Sequence, residues 1–473
     1  MTSARCLVST AVLLACAGTL AAQDRTPMPE RQIDSVFARY AHASSPGCAI
    51  GVYSDAETLF ARGYGSASLE YASPITTATP FLIGSLTKQF TAAAVALLIE
   101  RGVLRLDDDV RRFIPELPDY GTKITVGDLV RHTSGVRDIW SLYELAGARA
   151  NDGYTYDDIV RLLARQKHLN FTPGSQFSYS NSGYALLALI IKRATGVTLR
   201  TFADTAIFRR LGMRSTHFHD DNTEVIPGRA MGYSPSGDRR WQVDMRATNA
   251  VGDAGLMTTI EDLAQWNGNL RSGAVGGPAL LALQAARRGA VTPDGRTIYY
   301  SFGLFLSEYR GLATMEHNGN EGGYRSALIR FPDAAMTIVT LCNAGDADPT
   351  MFAHRVADVV LAGRLSAQTA ETATPSTQNA GDATAIASDP SRQWVGTYYS
   401  PELDVSYEIT LDGTSLTLHR PNRPAVAMRF VSPRVYRARS MTLEFAAAVG
   451  TTGQQRLMVS GGGILGLEFD RKR

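Results

Sequence analysis

Three short stretches, each occurring once in 473 residues, carry the residue types that nucleophilic chemistry needs: Ser85-Leu86-Thr87-Lys88, Tyr179-Ser180-Asn181 and His317-Asn318-Gly319. Ser85 follows the extended Phe81-Leu82-Ile83-Gly84 and precedes the apolar run Ala92 to Ile99, which places it at the N-terminus of a buried helix. There the positive end of the helix dipole favours developing negative charge. Lys88, one turn along the same face, can reach the hydroxyl oxygen. A free lysine titrates near ~10.4, so Lys88 can act as a base near neutrality only if burial and the helix terminus depress its pKa. Taken alone, the pair reads first as a capping serine and a snorkelling lysine on a core helix.

The second stretch sits after the turn-prone Thr172-Pro173-Gly174-Ser175 and just before an apolar helix starting near Gly183, and it reads as a loop tip. Beside a cationic lysine, Tyr179 would have its anion stabilised and could relay a proton. Asn181 could donate to a substrate carbonyl and accept from the lysine. His317 ends a predicted strand, where Gly319 would let a substrate backbone approach closely. Asn320, just beyond, could contribute a backbone N–H to an oxyanion hole shared with the N–H of Ser85. A helix cap for the second stretch and a structural histidine for the third are the plain alternatives.

The elements that must position these residues fall into groups. Gly47 to Tyr53 and Thr58 to Tyr64 read as a hairpin around Ser54-Asp55-Ala56-Glu57. Strand character returns in Tyr300 to Leu306, Ala313 to His317, Ser326 to Phe331 and Met336 to Cys342, with Pro332-Asp333-Ala334-Ala335 as a turn. Between the groups lie helices predicted over Leu86 to Arg101, Val126 to His132, Tyr156 to Ala164, Gly183 to Thr195 and Ile260 to Leu270. Strands at both ends with helices between them imply an α+β fold, in which an antiparallel sheet built from both ends of the domain carries a helical layer and a cleft.

Residues 365–390 hold no aromatic side chain and are dominated by Ala, Thr, Ser and Gln, the composition of a flexible linker. From Trp394 onward, alternating apolar runs between turn signals (Trp394 to Tyr399, Val405 to Leu411, Ser415 to His419, Ala425 to Phe430, Thr442 to Phe445, Ile464 to Phe469) predict a small antiparallel β-barrel over 391–473. The body between is assigned to 23–364.

Composition narrows the function. With 44% hydrophobic and 19% charged residues and a formal charge of +2, the chain lacks the basic balance of a nucleic-acid binder. Arg5, the apolar run Leu7 to Ala15 and the small residues through Ala22 read as an export signal over 1–22, implying a secreted or periplasmic protein. Leu13-Leu14-Ala15-Cys16 also resembles a lipoprotein box, so membrane association is expected only with lipidation at Cys16. Cys48 and Cys342 remain, either bridged or as two buried thiols.

With these three motifs in order, residues from about 45 to 360 resemble the serine β-lactamase and penicillin-binding-protein superfamily. Asp128-Leu129-Val130-Arg131-His132-Thr133-Ser134-Gly135 and Ala254-Gly255-Leu256-Met257-Thr258-Thr259 are similar to recurrent segments of its class C-like branch, which includes D-peptidases and esterases. The resemblance implies a β-lactamase/transpeptidase-like fold, with Tyr179 working beside Lys88 in acylation and deacylation. No Glu-x-x-Leu-Asn segment, as class A enzymes use for deacylation, is present. His317 stands where typical β-lactamases carry a lysine, a departure similar to some D-alanyl-D-alanine carboxypeptidases and D-aminopeptidases. The C-terminal region resembles the lipocalin-like barrels appended to some members.

The reading is a serine hydrolase working through an acyl-enzyme, with Ser85, Lys88 and Tyr179 catalytic and Asn181, His317, Gly319 and Asn320 binding substrate or oxyanion. No cofactor is called for. Substrates rank as D-amino-acid peptides, small carboxylic esters and β-lactams, with cell-wall peptides among the partners; a non-turnover penicillin-binding sensor or a scaffold is the alternative. His217-Phe218-His219-Asp220-Asp221 imitates the start of a zinc-hydrolase motif, but Asn222 stands where a further histidine would follow. The segment is read as a solvated loop, and no metal site is assigned.

Overall fold

The Cys48–Ser54 strand pairs with Thr58–Tyr64 on one side and with Met336–Cys342 on the other, so the two ends of the body close one sheet. The computed structural model describes residues 28–149, 152–238, 240–285, 295–367, 390–446 and 455–472. The export signal and nearly all of the linker segment lie outside the described residues. The seven strands run Tyr300–Ser301, Leu304–Tyr309, Leu312–Glu321, Tyr324–Phe331, Met336–Cys342, Cys48–Ser54 and Thr58–Tyr64 across the sheet, and every pairing is antiparallel. Cys48 and Cys342 are register partners and form a disulfide across 294 residues of sequence.

Alternation along the first strand sorts its side chains between two cores. Cys48, Ile50 and Val52 face the helices Glu30–Val36 and Pro349–Val360, whereas Ala49 and Tyr53 face the large helical layer. The sheet is therefore covered on both faces, where the sequence pointed to one helical layer. At the centre of that layer, the helix Lys88–Glu100 is buried continuously from Lys88 to Leu98, as its nearly uniform apolar composition demands. It packs against Asn181–Thr195. Thr125 with Asp128 and Thr155 with Asp158 form capping boxes that start the helices Val126–Arg131 and Tyr156–Ala164.

Two strand boundaries differ from expectation. The run Tyr300 to Leu306 is a tight hairpin, because Phe302 and Gly303 both take left-handed φ (45° and 85°) and pair Tyr300 with Phe305. The strand expected to end at His317 continues to Glu321, held by pairing with Tyr324–Phe331.

The C-terminal region forms a nine-stranded antiparallel sheet that is nearly closed: its two outer strands, Val426–Ala427 and Arg429–Ser432, are consecutive in the chain. Met428 between them breaks the single run expected over Ala425 to Phe430. Tyr407 Oη donates to the carbonyl of Leu145 at 2.7 Å, and Leu465 N donates to Asn170 Oδ1 at 2.9 Å, so the barrel is fastened to the helical layer. Among the described residues, no helix is long and apolar enough to cross a membrane.

Candidate active site

Ser85 lies in a 3₁₀ turn, Gly84–Thr87, that runs directly into the buried helix, and Lys88 is the first residue of that helix. One turn of spacing brings Lys88 Nζ within 3.0 Å of Ser85 Oγ. The same ammonium donates to Asn181 Oδ1 at 2.9 Å and to the carbonyl of Asp253 at 2.7 Å, and it lies 4.8 Å from the ring centre of Tyr179. Burial lowers the Lys88 pKa to about 8, with the carboxylates of Asp253, Asp138 and Glu321 pulling the other way. Burial thus produces the depressed lysine that the motif requires.

Asn181 is the first residue of its helix and not part of the loop before it. Its backbone N and Nδ2 both donate to Asp138 Oδ2, at 2.7 and 2.9 Å, which orients Oδ1 toward Lys88. The other oxygen of Asp138 caps the helix Ile139–Leu145 by accepting from Trp140 N and Ser141 N. Trp140 in turn donates its indole N–H to Asp253 Oδ2 at 2.7 Å.

Tyr179 is packed among aromatic rings: His132 at 4.3 Å between centres, then His317, Phe305 and Tyr300. Burial holds its phenol well above the ordinary value, and the neighbouring Ser85 hydroxyl is the chief opposing influence. The stabilised tyrosinate expected from the sequence is therefore not what the site provides; the phenol is protonated. His132 accepts from Ser180 N at Nδ1 (3.1 Å), and burial pushes its pKa well below the ordinary value.

The long strand Leu312–Glu321 turns His317, Gly319 and Glu321 inward and leaves Asn318 and Asn320 outward. His317 is 3% exposed, with Nδ1 2.6 Å from the carbonyl of Asn318 and Nε2 3.4 Å from Tyr300 Oη. Burial and the Lys88 charge lower its pKa to about 3, so the imidazole is neutral. Gly319 serves a different approach from the one expected: a Cβ there would lie 2.0 Å from the carbonyl oxygen of Ile83, so the space belongs to the chain leading into Ser85 and not to substrate. The same close contact sets the backbone N of Asn320 against Gly84, next to Ser85.

All seven residues singled out in the sequence thus converge on the turn at Ser85. Asp138, Asp253, Glu321, His132 and Trp140 were missed. Asp138 carried a helix-start signal, and Asp253 adjoins the recognised Ala254 to Thr259 segment, but neither signal announces a neighbour of Lys88. Beside Trp140 opens a cavity of about 410 Å³ whose lining interleaves Asp152 and Asp244 with Arg149, Arg246 and Arg423, the last from the barrel.

The segment read as a solvated loop is different in the structure. His217–Phe218 is a short strand paired with Leu256–Thr258, His219 is 7% exposed, and both imidazoles face Glu224 at 3.5 Å. The strand was not legible because its pairing partner comes from about forty residues further along.

The Beta-lactamase family model matches residues 33–362. A D-aminopeptidase of Cereibacter sphaeroides is 27% identical over 383 residues, covering 80% of this chain and 68% of the relative. Penicillin-binding protein 4* of Bacillus subtilis is 30% identical over 306 residues, covering 61% and 66%. The octameric penicillin-binding protein homologue from Pyrococcus abyssi superposes with a TM-score of 0.63 at 22% identity, over 94% of this chain and 100% of that one. For D-amino acid amidase from Ochrobactrum anthropi SV3 the TM-score is 0.60 at 22% identity, over 71% and 99%. At such identities the two structures speak for the fold, while the family match spans most of the chain. The chain belongs to the Beta-lactamase family and is a serine hydrolase of the beta-lactamase fold.

Proposed function

We propose that this hydrolase cleaves amides of D-amino acids and short D-amino-acid peptides through an acyl-enzyme on Ser85. The observation that carries the chemistry is Lys88 Nζ, 3.0 Å from Ser85 Oγ with its pKa lowered to about 8. Neutral Lys88 takes the Ser85 proton as Oγ attacks the carbonyl. Tyr179, protonated, gives its proton to the departing nitrogen and recovers one from Lys88. Water then attacks the ester, losing a proton to Lys88, and the Ser85 oxygen regains it. The backbone N–H groups of Ser85 and Asn320 hold the oxyanion in both steps. Asn181 keeps Lys88 aimed at Ser85.

The substrate class rests on His317. A neutral, buried imidazole supplies no cation for a substrate carboxylate, which favours amides and peptides cleaved from the amino end, then esters, over carboxylate-bearing β-lactams. The D-aminopeptidase relatives support the same choice. The cavity beside Trp140, with both charge signs, suits the remainder of a short peptide. Export to an oxidising compartment is part of the proposal, supported by the apolar leader pattern and the Cys48–Cys342 bridge. We assign the barrel over 391–473 as a separate unit whose Arg423 helps shape that cavity.

The test is a parallel panel of a D-amino-acid anilide, a D-alanyl-D-alanine peptide, a reactive ester and a chromogenic cephalosporin. Turnover of the anilide, reduced by about 10⁴-fold or more in Ser85→Ala, is expected. Unchanged hydrolysis in Ser85→Ala overturns the nucleophile. A persistent adduct without turnover, seen by intact-protein mass spectrometry, would make the chain a penicillin-binding sensor instead.

A further inference from the structure

We propose that His217, His219 and Glu224 form a binding site for one divalent transition-metal ion of the zinc type. His217 and His219 flank Phe218, and strand alternation sends Phe218 into the core while both imidazoles share the opposite face. His217 Nε2 and His219 Nδ1 each lie 3.5 Å from Glu224 Oε2, and the three atoms all fall within 4.8 Å of one another. Two ligand atoms bound at about 2.1 Å to a tetrahedral ion are about 3.4 Å apart, so both histidine–glutamate separations match a shared ion.

As hydrogen bonds those separations are poor, and neither ring nitrogen has a hydrogen-bond partner although both atoms are buried. Such atoms are rarely left unsatisfied. His219 itself is more than nine-tenths buried. Two imidazole nitrogens aimed at one carboxylate oxygen are the donor set that metal ligation needs.

Arg200 donates to both oxygens of Glu224 at 2.8 and 2.7 Å and to Asp220 at 3.1 Å. That clamp fixes the carboxylate as outer-shell partners fix ligands elsewhere. Asp220 offsets the charge of Arg200, and Arg229 is a further cation near His219. Neutral nitrogen with one carboxylate oxygen suits zinc and its neighbours better than calcium or magnesium, with water in the fourth position.

The ion would act structurally. His219 N donates to the carbonyl of Gly255 at 2.8 Å, and Phe218 pairs with Leu256, so the site fastens its segment to the stretch that begins at Asp253, the partner of Lys88.

The experiment uses the untagged full chain, stripped with chelator and titrated with zinc chloride against a chromogenic zinc indicator. One ion bound per chain and a raised melting temperature are expected. In His217→Gln/His219→Gln, affinity should fall by more than about 100-fold, beyond the loss seen for outer-shell changes, with hydrolysis by Ser85 retained. Cobalt chloride added to the wild-type chain gives an independent readout, visible d–d bands of a four-coordinate site, should the variant fail to fold. No zinc uptake by the wild type, uptake undiminished in a folded variant, or a six-coordinate cobalt spectrum overturns the site.

Discussion

Arg137 and Glu402 form an ion pair of 2.7 Å in which the side chains are 1% and 0% exposed, and it ties the barrel to the residue preceding Asp138. Asp138 holds Asn181, and Asn181 accepts from Lys88. Arg137 also donates to Gln166 Oε1 and to the carbonyl of Leu465, while Glu402 accepts from Lys167 N. The barrel therefore bears on the site through a short chain of buried polar contacts.

Removing one partner leaves the other charge buried without compensation. Glu402→Ala is expected to cost about 3–5 kcal/mol in chemical denaturation and to reduce kcat. Denaturation midpoints equal to wild type would show that the pair does not anchor the barrel.

Lys88 must be neutral to accept the Ser85 proton. With its pKa lowered to about 8, kcat/KM should fall about tenfold per pH unit below that value and level off above it. The carboxylate of Asp253 raises the lysine pKa, so Asp253→Asn should move this limb to lower pH while keeping the carbonyl that accepts from Nζ. A pH–rate profile that stays in place in the variant would remove Lys88 as the titrating base.

Gly319→Ala drives a Cβ to 2.0 Å from the backbone oxygen of Ile83, an atom that cannot swing aside. The chain leading into Ser85 must shift. We expect a loss of about 1–3 kcal/mol in stability and about 100-fold in kcat/KM, out of proportion to the single methyl added. Kinetics close to wild type would mean that Gly319 does not set the distance between strand and nucleophile.

The Cys48–Cys342 bridge constrains a very long loop of the unfolded chain. Cys48→Ala/Cys342→Ala is expected to lose about 2–5 kcal/mol, and reductant should lower the melting temperature of the wild type but not of the variant. Melting curves insensitive to reductant would argue against the bridge in solution.

The sequence by itself determined what is local. A serine one helical turn before a lysine, followed by an apolar run, dictates a hydroxyl and an ammonium side by side at the head of a buried helix. Apolar, β-prone runs at both ends of the body point to a sheet closed by chain ends. Alternation also assigns His317 and Gly319 to one face once the strand is known, although it does not say that pairing with Tyr324–Phe331 carries that strand on to Glu321.

Tertiary structure decided what depends on distance in space between residues far apart in the chain. Lys88 has a depressed pKa because helix packing removes water from it while carboxylates 50 to 233 positions away temper the effect. Burial raises the Tyr179 phenol well above its ordinary pKa, with the Ser85 hydroxyl as the opposing influence, so it is no stabilised anion. Gly319 yields its space to Ile83, and His217 and His219 face Glu224 from a segment that pairs with the Leu256–Thr258 strand. Local propensity acts through neighbours a few residues away, whereas desolvation and close backbone approach are set by whatever the fold brings alongside.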